Sequence, residues 1–308
     1  MINPVLAEVV RSGFVESRHR GAVAGLAADG TAAIETGQTG VPVFPRSSNK
    51  PLQAAGMLRC GLDLDQELLA LAAASHFGED FHVDGVRKIL SGAGLAEDAL
   101  RCPASWPLDE QTARRVEGKS RIRMNCSGKH AAMLATCVLN GWPTESYLSP
   151  EHPLQTSLLG TVAELAGEPV TAVGVDGCGA PLFALTLAGL ARAFRALVLA
   201  APGTPERRVA DAMRAYPAWT SGSASDARRL MDAVPGLLLK GGAEGVDAFA
   251  LADGRAGALK VDDGAARART PVTVAALRRL GAGVPDELAT VPVTGGDGVV
   301  GLIRAIAL

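Results

Sequence analysis

Arg46-Ser47-Ser48-Asn49-Lys50-Pro51 is where the chain changes period. Before it, Val5 to Val10, Ala22 to Ala27 and Thr31 to Glu35 are short alternating runs cut by Gly13, Gly21 and the Asp29-Gly30 pair, the pattern of strands joined by hairpins. After it, apolar residues recur at helical spacing: Leu52 to Cys60, Gln66 to Ala74, Val83 to Leu90, Ala131 to Leu139, and Leu154 to Leu165 before Gly167. A short strand from Thr171 to Val175 is followed by expected helices over Leu182 to Leu199 and Glu206 to Ala215. Strand texture returns at Gly236 to Lys240, Val246 to Leu251, Ala258 to Val261 and Val299 to Ile306, interrupted by a helix from Val272 to Leu280. This order predicts an α+β fold, a mainly antiparallel sheet built from both termini and flanked by helices, with an inserted helical lobe. One domain over 1–308 is expected, residues 1–45 and 236–308 supplying the sheet and 46–235 the helical middle.

Composition narrows the class. The chain has 308 residues, 48% hydrophobic and 20% charged, with a formal charge of −2, so it has enough apolar residues for a large core and no basic surplus to hold a phosphate backbone. No nucleic-acid partner is expected. Met1 to Gly21 carries Glu8, Arg11, Glu16, Arg18 and Arg20, unlike a secretory signal, and the apolar run Ala180 to Ala191 ends at Arg192, too soon to span a membrane. A cytoplasmic protein without a membrane partner is expected. The five cysteines form no Cys-x-x-Cys pair, which favours reduced thiols or metal ligands over a disulfide framework.

The opening hexapeptide also carries chemistry. Proline is tolerated only in the first helical turn, so Pro51 predicts a helix starting at about Ser47. Positions i and i+3 on a helix lie roughly 300° apart and share a face, which brings Ser47 rather than Ser48 to Lys50. Free N–H groups at the helix start favour an oxyanion and an unprotonated lysine, and a neutral Lys50 can take the proton of Ser47. Chance alone supplies roughly 0.3 Ser-x-x-Lys matches in such a chain, so the motif needs support. Leu239-Lys240-Gly241-Gly242 places a second lysine at a strand end before a Gly-rich hairpin, where Ser-x-x-Lys hydrolases carry Lys-Thr-Gly; Gly241 stands in place of the hydroxyl residue. Asn125-Cys126-Ser127-Gly128-Lys129-His130 and Asp176-Gly177-Cys178-Gly179 each set a cysteine on a tight turn, either as structural thiols or as ligands for zinc. Cys60 and Cys137 lie in helical segments and read as core.

In this order these strings, with Ser75-His76, Lys240 to Val246 and Lys260 to Gly264, resemble the asparaginase II family, the rhizobial-type L-asparaginases, from about Val5 to Ile306. The resemblance implies hydrolysis of L-asparagine to aspartate and ammonia on a fold similar to serine β-lactamases and glutaminases. It implies two Ser/Lys pairs, Ser47 with Lys50 and Ser75 with Lys240, with Lys260 as the alternative partner of Ser75. It further implies zinc held by Cys126, Lys129 and Cys178, the lysine then being neutral with a depressed pKa. Arg46 and Asp176 are assigned by charge to the substrate's α-carboxylate and α-ammonium, and His76, Asn125 and Gly241 complete the expected binding residues. A homodimer is expected. The rivals are a glutaminase or another Ser-x-x-Lys amidohydrolase and, in a different class, a zinc-holding amino-acid-binding protein without turnover.

Overall fold

The computed structural model describes residues 2–306 and 308. The described residues form ten strands, β1 (Val5–Arg11), β2 (Phe14–Leu26), β3 (Ala32–Thr36), β4 (Val173–Val175), β5 (Pro181–Phe183), β6 (Leu238–Gly242), β7 (Val246–Ala250), β8 (Ala256–Val261), β9 (Thr290–Gly295) and β10 (Gly298–Ala305). The helices are α1 (Lys50–Arg59), α2 (Gln66–Ala72), α3 (Asp80–Gly92), α4 (Glu110–Ala113), α5 (Ser127–Leu139), α6 (Pro153–Ala166), α7 (Leu187–Leu199), α8 (Pro205–Ala215), α9 (Pro217–Thr220), α10 (Asp226–Ala233) and α11 (Arg269–Arg279). The chain divides into two compact units, one comprising residues up to Ser48, Leu185–Leu199 and Leu230 onward, the other Asn49–Ala184 and Ala200–Arg229.

The first unit holds an eight-stranded sheet in the order β6-β7-β8-β2-β1-β10-β9, with β3 also on β2. Its pairings are antiparallel, as the terminal strand texture predicted. β2 reaches across it: Phe14 to Arg20 pair with β1, and Gly21 to Leu26 pair with β8. Helix α7 packs on β2, β7 and β8. It buries Leu187, Leu190, Ala191, Phe194, Leu197 and Val198 on one face and carries Arg192 and Arg195 between them. Each such Leu or Phe contributes about 1.5–3 kcal/mol of apolar burial.

The second unit is helical apart from the two-stranded β4-β5 sheet. Helix α1 packs on α5, α6 and α8, and Gly56 permits the approach to α6, since a Cβ there would stand 2.7 Å from Leu158. Gly167 ends α6 with φ of 63°, the left-handed cap that glycine adopts without cost.

Two expectations need correction, and one strand was not expected. The α-helix begins at Lys50, not at Ser47; Arg46–Asn49 is a tighter 3₁₀ turn before it, and Pro51 occupies the second helical position. The helix expected from Leu182 begins at Leu187, because Pro181–Phe183 pairs with β4 as a strand. Strand β9 escaped the reading because Pro292 and Gly295 interrupt its alternation; paired only to β10, it is an edge strand, where proline is tolerated.

Candidate active site

In the sheet unit, the turn that carries Ser47 lies on the end of β6. Arg46 adopts φ of 52°, an uncommon backbone state for a residue with a side chain. Ser48 is buried and its Oγ donates to Pro45 O at 2.6 Å, whereas Ser47 is half-buried. A Cβ on Gly242 would meet Pro45 O at 2.5 Å, so glycine is what allows this turn and strand to touch. A Cβ on Gly241 would meet Arg269 and Asp247, which accounts for the missing hydroxyl residue after Lys240. Arg269 Nη1 donates to Gly242 O at 2.7 Å, and Arg46 pairs with Glu244 at 3.7 Å.

Lys240 opposes Ala248, Ala248 opposes Ala258, and Lys260 lies two residues further along β8. Side chains alternate along a strand, so both candidate lysines share one face of the sheet. Lys240 Nζ donates to Gly241 O at 2.6 Å and Lys260 Nζ to Val261 O at 2.5 Å. Burial lowers the pKa of Lys260 against the raising charges of Asp262, Glu244 and Asp263. It lines a cleft of about 500 Å³ with Asn3, Gln38, Asp262 and apolar neighbours.

In the helical unit, Lys50 is wholly buried. Its Nζ lies 2.5 Å from Ala74 O, 3.1 Å from Ser75 Oγ and 3.4 Å from Asn125 O. Two of these three partners are carbonyls, which can only accept. As an ammonium Lys50 donates to all three; as a neutral amine with both hydrogens on the carbonyls, its lone pair would face the Ser75 hydroxyl. The arrangement suits exchange of a proton between Ser75 Oγ and Lys50 Nζ. His76, also wholly buried, has both ring nitrogens engaged: Gly78 N donates to Nδ1 at 3.2 Å, and Nε2 lies 2.8 Å from Ser127 Oγ. Ser127 Oγ itself donates to Ile122 O at 2.6 Å, which leaves it accepting from His76 Nε2–H. Burial, with the charges of His82 and Lys50, holds the His76 pKa well below the usual range.

One residue after Asn125 the chain enters a sulfur cluster. Ligand atoms of Cys126, Asp176 and Cys178 all lie within 4.8 Å of one another. Cys178 Sγ is 3.4 Å from Lys129 Nζ and 3.6 Å from Asp176 Oδ2. A hydrogen bond from Cys126 lowers the Cys178 pKa, helped by Lys129 and His130, and the same contact with burial raises that of Cys126. Burial lowers the Lys129 pKa, but Cys178, Cys126 and Asp176 outweigh it and the net direction is up. That is opposite to the depressed value ligation needs, and the anions that raise it are the atoms a cation would neutralise. Ligand atoms of tetrahedral zinc stand about 3.3–3.8 Å apart, given metal–ligand lengths near 2.0–2.3 Å. The two distances from Cys178 fall in that range, and two thiols, a carboxylate and an amine are a donor set that fits zinc.

The structure gathers Lys50, Ser75, His76 and Asn125 into one cluster and Cys126, Lys129, Asp176 and Cys178 into another. Asp176 stands in the sulfur cluster rather than apart from it as an ammonium anchor, and Asn125 holds Lys50 through its backbone carbonyl. His76 has no ring nitrogen left for a substrate. Ser127 and Tyr147 escaped the sequence reading. Ser127 lies inside the Asn-Cys-Ser-Gly-Lys-His string, but Tyr147, whose hydroxyl is 2.6 Å from His130 Nδ1, carries no local signal.

Against this geometry, the family model described as L-asparaginase II matches residues 7–305. The chain belongs to that family. No curated protein matches it. Among solved structures, Mglu in its native form is 16% identical with a TM-score of 0.44 over 85% of this chain and 63% of that one. Bacillus glutaminase is 15% identical with a TM-score of 0.33 over 79% of this chain and 83% of that one. The chain therefore spans less than two thirds of Mglu. No helix among the described residues is long and apolar enough to cross a membrane.

Proposed function

We propose that this protein hydrolyses L-asparagine to L-aspartate and ammonia by Ser/Lys chemistry. The observation that carries the reading is Lys50, buried and held by two carbonyls with its remaining position on Ser75 Oγ. Ser47, three residues before Lys50 in the chain, attacks the side-chain amide carbon, and its proton reaches Lys50 by way of the Ser75 hydroxyl, which gives its own proton to the amine. Ammonia leaves with a proton returned through Ser75 and a lysine, Lys240 or its face-mate Lys260. Water then resolves the β-aspartyl ester. Arg46 is assigned to the α-carboxylate, and backbone N–H groups about Gly241 to the oxyanion. The 3.1 Å contact favours one second reading, in which Ser75 is itself the nucleophile and Lys50 its base. Trapping the acyl-enzyme and locating the modified serine by mass spectrometry separates the two.

Zinc fits Cys126, Cys178, Lys129 and Asp176 and, when bound, supplies positive charge for a substrate's anionic group. A homodimer in the cytoplasm belongs to the same reading, and sedimentation tests the first part. The primary test is ammonia release from L-asparagine and L-glutamine by purified protein. Asparagine is the expected substrate, since one added methylene displaces the amide from fixed α-group anchors. Equal turnover of both amides removes the selectivity. Heat stabilisation by asparagine without ammonia points instead to a binding protein.

A further inference from the structure

Outside the proton-exchange pair, the bonds of the His76 ring and backbone tie two distant chain segments together. Its backbone N–H donates to Asn125 O at 3.1 Å, the same carbonyl that accepts from Lys50 Nζ. Its ring reaches Ser127, two residues past that carbonyl, at 2.8 Å. Ser127 is held in turn through its side chain to Ile122 O at 2.6 Å and through its N–H to Met124 O at 2.8 Å. The Ser75-His76 pair and the Asn125-Ser127 segment are therefore braced at two points, one before and one after Cys126. Behind the ring, His82 stacks at a centroid distance of 5.1 Å.

We infer that His76 is a positioning residue: its Nε2–H, through Ser127, fixes the Asn125 carbonyl and with it the orientation of Lys50 Nζ toward Ser75 Oγ. The inference rests on the proposed role of Lys50. It gives His76 a task other than substrate contact, and it requires one tautomer, with hydrogen on Nε2 and the Nδ1 lone pair on the Gly78 N–H. A ring that only filled space would have no such requirement. Its loss would cost stability without altering turnover per folded molecule.

The test combines spectroscopy and kinetics. Long-range ¹H–¹⁵N correlation on wild-type protein is expected to show a neutral His76 with a slowly exchanging Nε2–H that is lost in Ser127→Ala. Kinetics on Ser127→Ala are expected to show kcat reduced on the order of 10²-fold per folded molecule, KM nearly unchanged and metal content unchanged. His76→Gln, which keeps a donor near the Nε2 position, should recover most of the turnover that His76→Phe loses. A His76 tautomer with hydrogen on Nδ1, or wild-type kcat in Ser127→Ala, overturns the inference. Lys50→Met, measured in parallel, separates the two levels. If it is inactive beside a fully active Ser127→Ala, only the role of His76 falls. If Lys50→Met is active, the base assignment and the inference fall together.

Discussion

The buried lysines of the helical unit and the strand lysines of the sheet unit are held in different ways. Lys50 gathers Ala74, Ser75 and Asn125, and Lys129 meets Cys178, so each position is determined by segments 24 to 75 residues away. Lys240 and Lys260 each donate to the carbonyl of the next residue. A bond to the next residue fixes a side chain only to its own strand, whereas the bonds of Lys50 join three chain segments. On the proposed chemistry, preorganised proton transfer belongs to the long-range contacts of Lys50.

The strongest way to break that contrast is to remove the amines in turn. Lys50→Met is expected to lower kcat by about 10³-fold or more, and Lys240→Met by about 10–10²-fold, on the range of single acid–base groups. The reverse ranking, in steady-state ammonia release, would move the proton chemistry to the sheet unit. Lys50→Arg is expected to fail as well, since arginine keeps its proton. Next in size, Cys178→Ser should remove a full equivalent of bound zinc and raise KM more than it lowers kcat, as measured by metal analysis and kinetics. Retention of the metal would dissolve the ligand cluster.

The sheet unit has its own test. Gly242→Ala drives a Cβ to 2.5 Å from Pro45 O and should cost about 1–3 kcal/mol in urea unfolding. Gly283→Ala, with nothing within 4 Å of its Cβ, should stay within about 0.5 kcal/mol of wild type. Equal effects would mean that the Ser47 turn is not held against β6.

Stability also depends on pH. Burial pushes the His82 pKa down to about 4, and His76 lies well below its ordinary 6.5. Each histidine is then unprotonated in the fold while the unfolded chain gains a proton, so stability is full above pH 6.5 and is lost as pH falls through 6.5 toward 4. The slope is about 1.4 kcal/mol per pH unit for each histidine once the unfolded chain is protonated. Urea midpoints between pH 7 and 5 measure it, and His82→Phe should remove about half. An unchanged slope in that variant would place the titration elsewhere.

Much of this was legible because it is local. Asn125 to His130 and Asp176 to Gly179 are short strings whose chemistry is carried by neighbouring residues, and the antiparallel sheet follows from alternation at both ends. The first half of β2 was missed because Glu16, Arg18 and Arg20 place charges along a strand whose apolar face is short. The start of α1 was misread because Pro51 restricts the first turn without saying whether that turn is α or 3₁₀.

What the amino-acid order determined by itself is the class of fold and the inventory of reactive groups, since period, turn residues and motif spacing act within a few positions of the chain. Which group meets which was decided by tertiary structure. Nothing in the spacing of Lys50, Ser75 and Asn125 states that one amine will meet a hydroxyl and two carbonyls, or that Asp176 will join two thiols. Those contacts exist because helix packing closes long loops, and the acceptors a buried amine must find are those the packing brings to it.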